Sequence, residues 1–584
     1  MKKKLVVTFV SLVGLLLSSC SFLNLFKPNV KSIEITNKRE GILLGEELQL
    51  EVKTLPDNAK NTNIVWKSSN EDVASISNEG KLSALKLGST TIEAVSAKKS
   101  SIKDSFEINV VEATTIDKTK LSYTYDDYMA NNYYQLDNCP LEGNPKLLII
   151  PIWFSDSNTF IDASKKSSIR SDIEKAYVGS PSDTGWHSIK SYYETESKNK
   201  VNISATIADW YNVGSSYLTY AYASAQTSLT PELVKTASDN YFNNHLSDSR
   251  TNYDSNNDGY LDGVMLIYAA PDNDSIGNSS YENLWAYCNW RQVEPNLSSP
   301  VPNVFFWASY DFLYGKNAYE KTGKSSYARG YTENGVTIDT HCFIHEMGHV
   351  LGLEDYYDYT GQYNPAGGFS MQDYNVGGHD PYSVMAYGWA DPSIPDKSMT
   401  ISIGDFQSTH DVVLLANHSV TNSPFDEYLL LEYYTPTGLN EFDSKYSYRE
   451  YYPQGPAKGG IRLWHVDARL YSFYTYKFTT NPTEGGIYHA MSNSYGGDYP
   501  APAGPAYNNY NVLQLIRNNK AATYTPKDNL SQNDLFMVGD SFDMSTYKSQ
   551  FVNSAKMNNG KALGWSFNVV SLSDNKAVIT LTKA

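Results

Sequence analysis

The sequence predicts a multidomain protein in which an all-β sandwich precedes an α/β domain and a β-rich C-terminal region. The chain has 584 residues, which is too long for one compact core. Short alternating runs fill residues 30–112, and continuous apolar runs begin at Lys146. Runs with the pattern of β-strands return after Trp389, so β-rich regions are predicted both before and after the α/β domain.

Residues 1–20 form a targeting segment rather than part of the fold. Lys2–Lys4 precede the apolar run Leu5–Leu17, which is too short to span a bilayer but fits the core of a signal peptide. The run leads into "LSSC", which resembles a bacterial lipoprotein box in which Cys20 carries the lipid. The alternative is a plain secretory signal with an incidental cysteine. We therefore expect an exported protein, anchored to the outer face of a bacterial cell membrane through this lipid alone.

Composition limits the partners and the redox chemistry. The net charge of −17 argues against nucleic acid and anionic membrane surfaces as partners, since both attract basic proteins. After Cys20 three cysteines remain, Cys139, Cys288 and Cys342, so at most one disulfide forms within the mature chain. The oligomeric state is not indicated.

Residues 30–112 have the pattern of a small β-sandwich. About seven short alternating runs, separated by turn signals such as Pro56-Asp57, are typical of an Ig-like domain. The domain lacks the cysteine pair of antibody domains, and Trp66 is the natural core aromatic. The string "WKSSNEDVASISNEGKLSALKLGSTTI" resembles the bacterial Ig-like surface domains. That resemblance implies a stalk or adhesive spacer and names no ligand.

The rest of the chain divides into a connector and two further domains. Residues 113–145 are polar and are expected to form a connector between the Ig-like domain and the α/β domain. Residues 146–396 form the α/β domain, because "KLLIIPIWF" and "GVMLIYAA" are continuous apolar runs of strands buried on both faces, with amphipathic helical stretches between them. Residues 397–584 return to the β pattern in runs such as "EYLLLEYY", "GGIRLWHVD" and "AVITLT".

The stretch "HEMGHVLGLEDYYD", which begins at His345, carries the chemistry. Residues four apart lie on one face of a helix, so His345 and His349 can aim imidazole nitrogens at one ion. Zinc takes such nitrogens at about 2.0–2.1 Å in tetrahedral geometry. Glu346 is placed to polarise a metal-bound water, and Gly352 permits the turn that ends the helix. A bare HExxH also arises by chance, but the added glycine and acid at fixed offsets favour a catalytic zinc site.

Asp355 is the predicted third metal ligand. Zinc binds carboxylate oxygen at about 2.0–2.2 Å, close to its distance from histidine, and three protein ligands leave the open position of a catalytic site. Glu354 and Asp358 are rivals, although Glu354 points away if Asp355 points in. His341, one turn before the motif, is expected at the surface or in contact with a ligand.

This motif resembles that of the immune-inhibitor-A-like zinc metallopeptidases, a secreted bacterial family related to the metzincins. Several further segments resemble that family in its order: Ser188–Tyr211, Asp254–Ala269, Gly367–Asn375, "EYLLLEYY" and "GGIRLWHVD". The resemblance covers roughly residues 145–584. It implies a zincin-type metallopeptidase fold, an open zinc site, and hydrolysis of peptide bonds in protein or glycoprotein substrates.

Metzincin-like sites place a methionine below the metal in a tight turn, and two residues qualify. Met371, in "GGFSMQDYN", stands at the family's place for this turn. Met385, in "YSVMAYGW", matches the spelling of the turn in other metzincins, where the tyrosine two residues on, here Tyr387, approaches the metal as a transition-state stabiliser. Met371 is preferred because its neighbours on both sides fit the family.

The stretch "DSNNDGYLD" has the odd-position spacing of a calcium loop, with oxygen donors at Asp254, Asn256, Asp258 and Asp262. Position 12 of the loop is Met265, so the bidentate glutamate of a full EF-hand is missing. A structural calcium site and a simple polar turn both fit.

Cys139, in "DNCPLEG" ahead of the first strand of the α/β domain, raises a latency hypothesis. A thiolate there could take the open position of the zinc. Whether a propeptide is removed is not indicated by the sequence.

Together these features predict a cell-surface zinc-dependent endopeptidase that hydrolyses peptide bonds in extracellular proteins, with Glu346 as the general base on a zinc-bound water. One alternative is a non-catalytic surface adhesin or binding lipoprotein on a protease-like scaffold, and another is a metal-storage protein. The intact Glu346 argues against the adhesin, and a storage protein needs no buried base. The cleavage specificity and the natural substrate are not written in the sequence.

Overall fold

The computed structural model of the chain describes residues 27–131, 137–420, 423–449, 452–472, 477–479, 487–489, 493 and 510–584. The predicted signal segment and Cys20 therefore lie outside the described residues. Across these ranges, no helix combines the length and the apolar character needed to cross a bilayer. The described domains follow the predicted order, a β-sandwich, an α/β domain and a β-rich region.

The N-terminal domain is an Ig-like sandwich of nine short strands. Its strands are β1 Ser32–Ile35, β2 Gly41–Leu43, β3 Glu47–Gln49, β4 Val52–Leu55, β5 Ile64–Ser68, β6 Ala74–Ile76, β7 Lys81–Ala84, β8 Gly88–Ser96 and β9 Lys103–Val111. They form sheets of order β2-β9-β8-β5 and β3-β7-β6, with β1 paired to β4. Trp66 is only half-buried, and it lies over Gly80 at the edge of the core rather than at its centre.

The α/β domain is built on one sheet with a mostly parallel core. Its strands are β10 Lys146–Trp153, β11 Ser204–Ile207, β12 Tyr211–Asn212, β13 Val264–Tyr268, β14 Tyr287–Trp290 and β15 Val304–Ser309. The order is β11-β10-β13-β15-β14, with β12 also paired to β10. Only β14 runs antiparallel to its neighbour, at the edge of the sheet. β10, β13 and β15 are almost wholly buried, as their continuous apolar sequences predict.

Helices cover this sheet and shape its edge. Those up to residue 396 are α1 Tyr125–Asn131, α2 Lys166–Val178, α3 Pro181–Thr184, α4 Ile189–Glu196, α5 Ala223–Thr227, α6 Leu229–Asn244, α7 Asn273–Ile276, α8 Ala318–Thr322, α9 His341–Val350, α10 Met371–Tyr374 and α11 Pro381–Ala386. Helix α9, which carries both predicted histidine ligands, packs against β14 and β15. Phe343 fixes that packing, because its ring meets Phe306 of β15 edge to face at 5.1 Å.

The C-terminal region contains two four-stranded antiparallel sheets. Its elements are β16 Met399–Gly404, α12 Phe406–Thr409, β17 Val412–Leu415, β18 Glu427–Tyr434, α13 Glu441–Lys445, β19 Gly460–Asp467, β20 Leu470–Ser472, β21 Lys477–Thr479, β22 Ile487–His489, β23 Leu513–Ile516, β24 Ser541–Asp543, β25 Trp565–Leu572 and β26 Lys576–Lys583. The sheet orders are β17-β18-β19-β23 and β16-β26-β25-β24, and β20 pairs with β21 and β22.

One of these sheets lies between the α/β domain and the other sheet. Alternate side chains of β18 point to opposite sides: Tyr428 and Leu430 join the core of the α/β domain, while Leu429 and Leu431 join the core between the two C-terminal sheets. This explains why "EYLLLEYY" is apolar on both faces in an antiparallel sheet. The C-terminal region thus forms one continuous body with the α/β domain.

The predicted connector packs closely on its neighbours instead of crossing solvent. The N–H of Thr114 donates to the carbonyl of Thr400 at 2.9 Å, which joins the connector to β16. In α1, Tyr125 and Tyr128 are each 1% exposed, and both rings pack on Phe425 at 5.4 Å. Residues 113–131 and 137–145 therefore make contacts with the folded domains along the connector.

Candidate active site

Helix α9 places two histidines on one face and then stops sharply. His345 and His349 are one turn apart, and their neighbours Ile344, Met347 and Val350 are buried in the core. Gly352 follows with a φ of 110°, a conformation that favours glycine. The chain therefore turns back immediately after the helix and carries the next acidic residues towards the histidine face.

The turn brings Asp355 onto the two histidines. Its Oδ1 atom lies 2.9 Å from Nε2 of His345 and 3.3 Å from Nε2 of His349, and the two Nε2 atoms are 3.2 Å apart. Ligands about 2.0–2.2 Å from one tetrahedral ion are separated by roughly 3.3–3.5 Å. The three atoms thus have nearly the spacing of three corners around a zinc ion. Among the described residues, this is the one group of three or more His, Cys, Asp or Glu side chains close enough to share an ion.

The second nitrogen of each histidine is fixed by a backbone carbonyl. Nδ1 of His345 lies 2.7 Å from the carbonyl oxygen of Met371, and Nδ1 of His349 lies 2.8 Å from that of Leu353. A carbonyl oxygen only accepts, so each Nδ1 carries the proton and donates it. Both Nε2 lone pairs are then left facing Asp355, which is the tautomer that a metal ligand needs.

Of the two methionines predicted for the turn, Met371 is the one in contact with the triad of His345, His349 and Asp355. It is fully buried, opens α10, and supplies the carbonyl that holds His345. Met385 is buried within α11. The contact favours Met371 as the residue that supports the site.

Glu346 lies beside the triad and is 6% exposed. Its Oε2 atom is buried and accepts no hydrogen bond from any described residue. Burial raises the pKa of this carboxyl, while His349 and His345 beside it act in the opposite direction. A carboxylate with a free oxygen next to three potential ligands can accept a proton from a water bound between them.

Asp355 is held by a residue that the sequence did not single out. The hydroxyl of Tyr359 donates to Oδ2 of Asp355 at 2.8 Å, so the carboxylate keeps Oδ1 for the histidines. Burial alone would raise the pKa of Asp355, but in the metal-free site His349 and His345, when protonated, hold that pKa well below its usual range. The run "DYYDYTG" contains several tyrosines at similar distances along the chain, so spacing alone did not distinguish Tyr359.

The rivals of Asp355 point elsewhere. Asp358 is 3% exposed, and its carboxylate accepts the N–H groups of Thr360 and Gln362, which folds its own loop. Glu354 is not part of the cluster of ligand atoms.

Tyr387 does not face the triad, contrary to the expectation from metzincin spelling. Its ring is 1% exposed, and its hydroxyl donates to the carbonyl of Gly348 on the back of α9 at 2.9 Å. In this position Tyr387 braces the helix, and its buried hydroxyl is engaged by the carbonyl of Gly348. The role of transition-state stabiliser predicted for it is therefore corrected.

The acidic loop after α6 uses its carboxylates to hold its own backbone. Asp254 accepts the N–H groups of Asp258 and Gly259, and Asp262 accepts those of Lys146 and Ser255. The side chain of Asn256 donates to Asp258 at 2.8 Å. These contacts are those of a polar turn, and calcium at this loop stays a prediction.

Cys139 lies beside the C-terminal end of α9 and is not one of the gathered ligand residues. Its N–H donates to the carbonyl of Val350 at 2.8 Å, its side chain is fully buried, and burial raises the pKa of its thiol well above the usual value. Cys139, Cys288 and Cys342 are all free. In this conformation a thiolate of Cys139 does not block the site, so the latency hypothesis is not supported.

Two family profiles match the chain. Residues 29–104 match the bacterial Ig-like domain of group 2, and residues 171–375 match the catalytic domain of the immune inhibitor A peptidase M6 family. The second match contains the triad, Glu346 and Met371. Residues 171–375 are an M6 metallopeptidase domain. The resemblance read from the sequence is thereby confirmed for both domains.

The chain is also similar to a named metalloprotease and to an uncharacterised protein. The chain is 26% identical over 284 residues to the pre-pro-metalloprotease PrtV of Vibrio cholerae, a match that covers 43% of this chain and 29% of PrtV. It is 30% identical over 117 residues to an uncharacterised protein of Clostridium acetobutylicum, covering 19% of this chain and 12% of that protein. The chain thus spans less than a third of the curated relatives that it matches.

Two solved structures each align with a small part of the chain. A crystal structure of an intimin–Tir90 complex aligns with 19% of this chain and 61% of its own, at 20% identity and a TM-score of 0.12. A structure of invasin, a bacterial integrin-binding protein, aligns with 16% and 22%, at 19% identity and the same TM-score. These values are too low to carry an argument about function.

His341 joins the M6 domain to the C-terminal region. It is fully buried, in contrast to the surface position considered from the sequence, and stacks on Trp186 with ring centroids 3.8 Å apart. Nδ1 lies 2.7 Å from Asp339, and Nε2 lies 3.3 Å from Asp443 of α13. Burial would lower the pKa of His341, but the two carboxylates raise it to about 9. His187 and Arg449 are the neighbouring titratable groups.

The charge on His341 makes the stability of the M6 domain depend on pH. Because the folded pKa, about 9, lies above the ordinary 6.5, the contribution is complete below about pH 6.5 and is lost as the pH rises through 9. The shift corresponds to about 3 kcal/mol at most. We expect the free energy of unfolding, measured by denaturant titration with zinc present, to fall between pH 6.5 and 9.5 in the parent. His341→Gln should be less stable at pH 6.5 and should lack most of this fall, and equal falls in both proteins would contradict the assignment.

Proposed function

We propose that this protein is a zinc-dependent endopeptidase of the cell surface that hydrolyses peptide bonds in extracellular proteins. The observation that carries the proposal is the grouping of His345, His349 and Asp355, whose ligand atoms lie within 3.3 Å of one another beside the free carboxylate oxygen of Glu346. The M6 profile and the similarity to PrtV support it.

The three side chains of the triad would hold the zinc, and each is oriented for that task. The carbonyls of Met371 and Leu353 fix the two imidazoles, and Tyr359 fixes the carboxylate. When bound by these residues, zinc would supply Lewis-acid chemistry, which polarises a carbonyl oxygen and acidifies a water. Two neutral imidazoles and one carboxylate leave the loaded site with a net charge of about +1, which favours an anionic transition state.

Glu346 moves the proton. Its carboxylate is buried, and Oε2 keeps a free lone pair, so it accepts a proton from the attacking water as the new bond to the scissile carbonyl carbon forms. The same carboxyl group then returns that proton to the nitrogen of the leaving amine when the C–N bond breaks. Burial, which raises its pKa, makes the carboxylate a better base than one in water.

A non-catalytic adhesin is the second candidate, because an Ig-like domain precedes the M6 domain. Such a protein would need neither the proton acceptor nor the oriented ligand atoms. Glu346, with its free oxygen beside the triad, argues for catalysis instead.

Casein hydrolysis together with metal analysis separates these functions. The endopeptidase is expected to bind one zinc per chain and to cleave casein, to lose both properties in a chelator such as 1,10-phenanthroline, and to regain both with added zinc. Zinc binding without cleavage of casein or of mixed peptides would favour a metal-storage protein. The absence of both zinc binding and cleavage would favour the adhesin.

We further propose that the enzyme is exported and held at the membrane by a lipid on Cys20, with no other attachment to the bilayer. The support is the short apolar run that leads into "LSSC". A single acyl chain binds membranes only weakly, so the lipidated residue would need to carry more than one chain for a stable anchor.

Replacement of Cys20 tests this anchor. In detergent phase separation of cells that produce the full chain, the parent should enter the detergent phase, while Cys20→Ala should stay in the aqueous phase. Cys139→Ala serves as the matched control and should partition like the parent, because Cys139 is buried in the folded domain. Equal recovery of the parent and Cys20→Ala in the aqueous phase would overturn the anchor.

A further inference from the structure

The cleft beside the triad has an unusual electrostatic character for this chain. It has a volume of about 330 Å³, and its wall includes His345, Glu346 and two arginines, Arg329 and Arg449. The protein as a whole carries a net charge of −17. Two cations beside a candidate catalytic centre in so acidic a protein point to a ligand of negative charge.

The arginines are the accessible charged groups of this cleft. Their side chains are 25% and 20% exposed, whereas Glu346, Asp358 and Asp373 are exposed by 6%, 3% and 1%. Asp358 is also engaged by the N–H groups of Thr360 and Gln362, and Oδ2 of Asp373 accepts the N–H of Gly368, while Oδ1 of Asp373 is buried. A group that enters the cleft therefore meets positive charge.

Both guanidinium groups are positioned by aromatic rings. That of Arg329 lies 4.7 Å from the ring centroid of Trp285, and that of Arg449 lies 5.0 Å from Tyr448 and 5.7 Å from Tyr452. Such stacking fixes the plane of the guanidinium and leaves its N–H groups free at the edges.

Neither arginine is fully paired within the described chain. Arg449 approaches Asp339 only at 3.7 Å, and that carboxylate already accepts from His341 and from the hydroxyl of Tyr448. Arg329 bonds to Asp274 at 2.8 Å, but Asp274 is 58% exposed, so solvent screens the pair. Nε of Arg329 is buried and makes no hydrogen bond to a described acceptor, although the carboxylate of the buried Asp272 lies 3.6 Å away. Both side chains keep donors for a further anionic partner.

We propose that this cleft is a subsite for a carboxylate of the bound peptide, held by Arg329 and Arg449. The subsite rests on the proposed peptidase function and makes the enzyme selective for peptides with an acidic residue, or a free C-terminus, near the scissile bond. A guanidinium donates two parallel hydrogen bonds to a carboxylate, which an amide of the same shape cannot match in charge. The aromatic rings of the wall make the surroundings of the arginines less polar, which strengthens those bonds.

Matched peptides test the subsite. Internally quenched peptides with amidated C-termini carry Glu, Gln or Lys in turn at each of three positions on either side of the cleaved bond, and a second series has a free C-terminus. At one of these positions, the parent should give at least about tenfold higher kcat/KM for the Glu peptide than for the Gln peptide. Alternatively, the same ratio should appear between the peptide with a free C-terminus and its amidated form. That is the usual effect of one charge-assisted hydrogen bond.

Substitution of the two arginines tests whether the preference for carboxylate peptides arises in this cleft. Arg329→Gln and Arg449→Gln should each lower the Glu to Gln ratio towards one, and Arg449→Glu should favour Lys. The ratio is taken on one protein, so a general loss of folded enzyme cancels. Arg39→Gln, in the Ig-like domain, is the matched control and should keep the ratio of the parent. A parent without preference, or arginine variants with an unchanged ratio, would overturn the subsite.

A binding measurement separates this proposal from the peptidase function. The zinc-loaded Glu346→Gln protein is titrated with the same peptides, carrying a fluorophore, and anisotropy is recorded. Tighter binding of Glu peptides than of Gln peptides, reduced by Arg449→Gln, supports the subsite even if the parent cleaves nothing, in which case only the peptidase function fails. Equal binding of both peptides rejects the subsite, whatever the parent hydrolyses.

Discussion

Replacement of Glu346 by glutamine is expected to lower kcat/KM for peptide hydrolysis at least a hundredfold while zinc stays bound. The amide has nearly the same shape as the carboxylate but cannot accept the proton of the attacking water. General-base catalysis contributes about 10²–10⁴ to rate, which sets the expected loss. Because Glu346 supplies none of the three predicted ligand atoms, the zinc content should remain one per chain.

The measurement compares initial rates on a quenched peptide with zinc content from plasma emission spectroscopy. Glu333→Gln is a suitable control, because Glu333 lies in the same domain, has a side chain 42% exposed and pairs with Lys316. The control should hydrolyse like the parent. If Glu346→Gln does so too, Glu346 is not the base and the proton path described above is wrong.

The second large effect is expected at Asp355. Asp355→Ala removes the oxygen that lies 2.9 Å and 3.3 Å from the two histidine nitrogens, so two ligands remain where a zinc site needs at least three. Loss of a residue that merely supports a ligand costs about 10–100-fold in metal affinity, so loss of a ligand should cost at least a hundredfold. Competition with a chromophoric zinc chelator measures the affinity directly.

Glu354→Ala is the matched control for this experiment, since it removes a neighbouring carboxylate that is not part of the cluster. It should bind zinc within a few-fold of the parent. A larger loss of zinc affinity in Glu354→Ala than in Asp355→Ala would identify Glu354, not Asp355, as the third ligand. The loop after Gly352 would then have to adopt another conformation.

The parts of the site that sequence could predict are local ones. His345, Glu346 and His349 lie within two turns of one helix, and Gly352 and Asp355 follow in the next turns of the chain, so helix geometry and one reversal are enough to relate them. The domain classes followed equally directly, because strands buried on both faces and alternating strands differ in periodicity.

The remaining parts depend on contacts between distant segments. Asp443 meets His341 from about a hundred residues away, and Arg329 and Arg449 reach the cleft from different loops. Periodicity and spacing carry no information about such encounters. The same reason explains why His341 was considered for the surface, although two carboxylates and an aromatic stack bury it.

Matching a sequence motif does not show where a side chain points, because that depends on the residues packed around it. Tyr387 matches the metzincin pattern in letters, but the fold turns its hydroxyl to Gly348, while Tyr359, in no recognised pattern, contacts Asp355. The hydrogen bonds that Tyr387 and Tyr359 make inside the fold were not encoded in the spacing.

Zinc titration of the metal-free protein tests the central claim most directly. The protein is stripped with 1,10-phenanthroline, dialysed and titrated with zinc, while hydrolysis of a quenched peptide is recorded at each addition. Peptidase activity is predicted to rise in proportion to zinc, to level off at one equivalent per chain, and to stay absent when Asp355→Ala is titrated under the same conditions. Activity that persists without zinc, or that rises equally in Asp355→Ala, would contradict a catalytic zinc held by His345, His349 and Asp355.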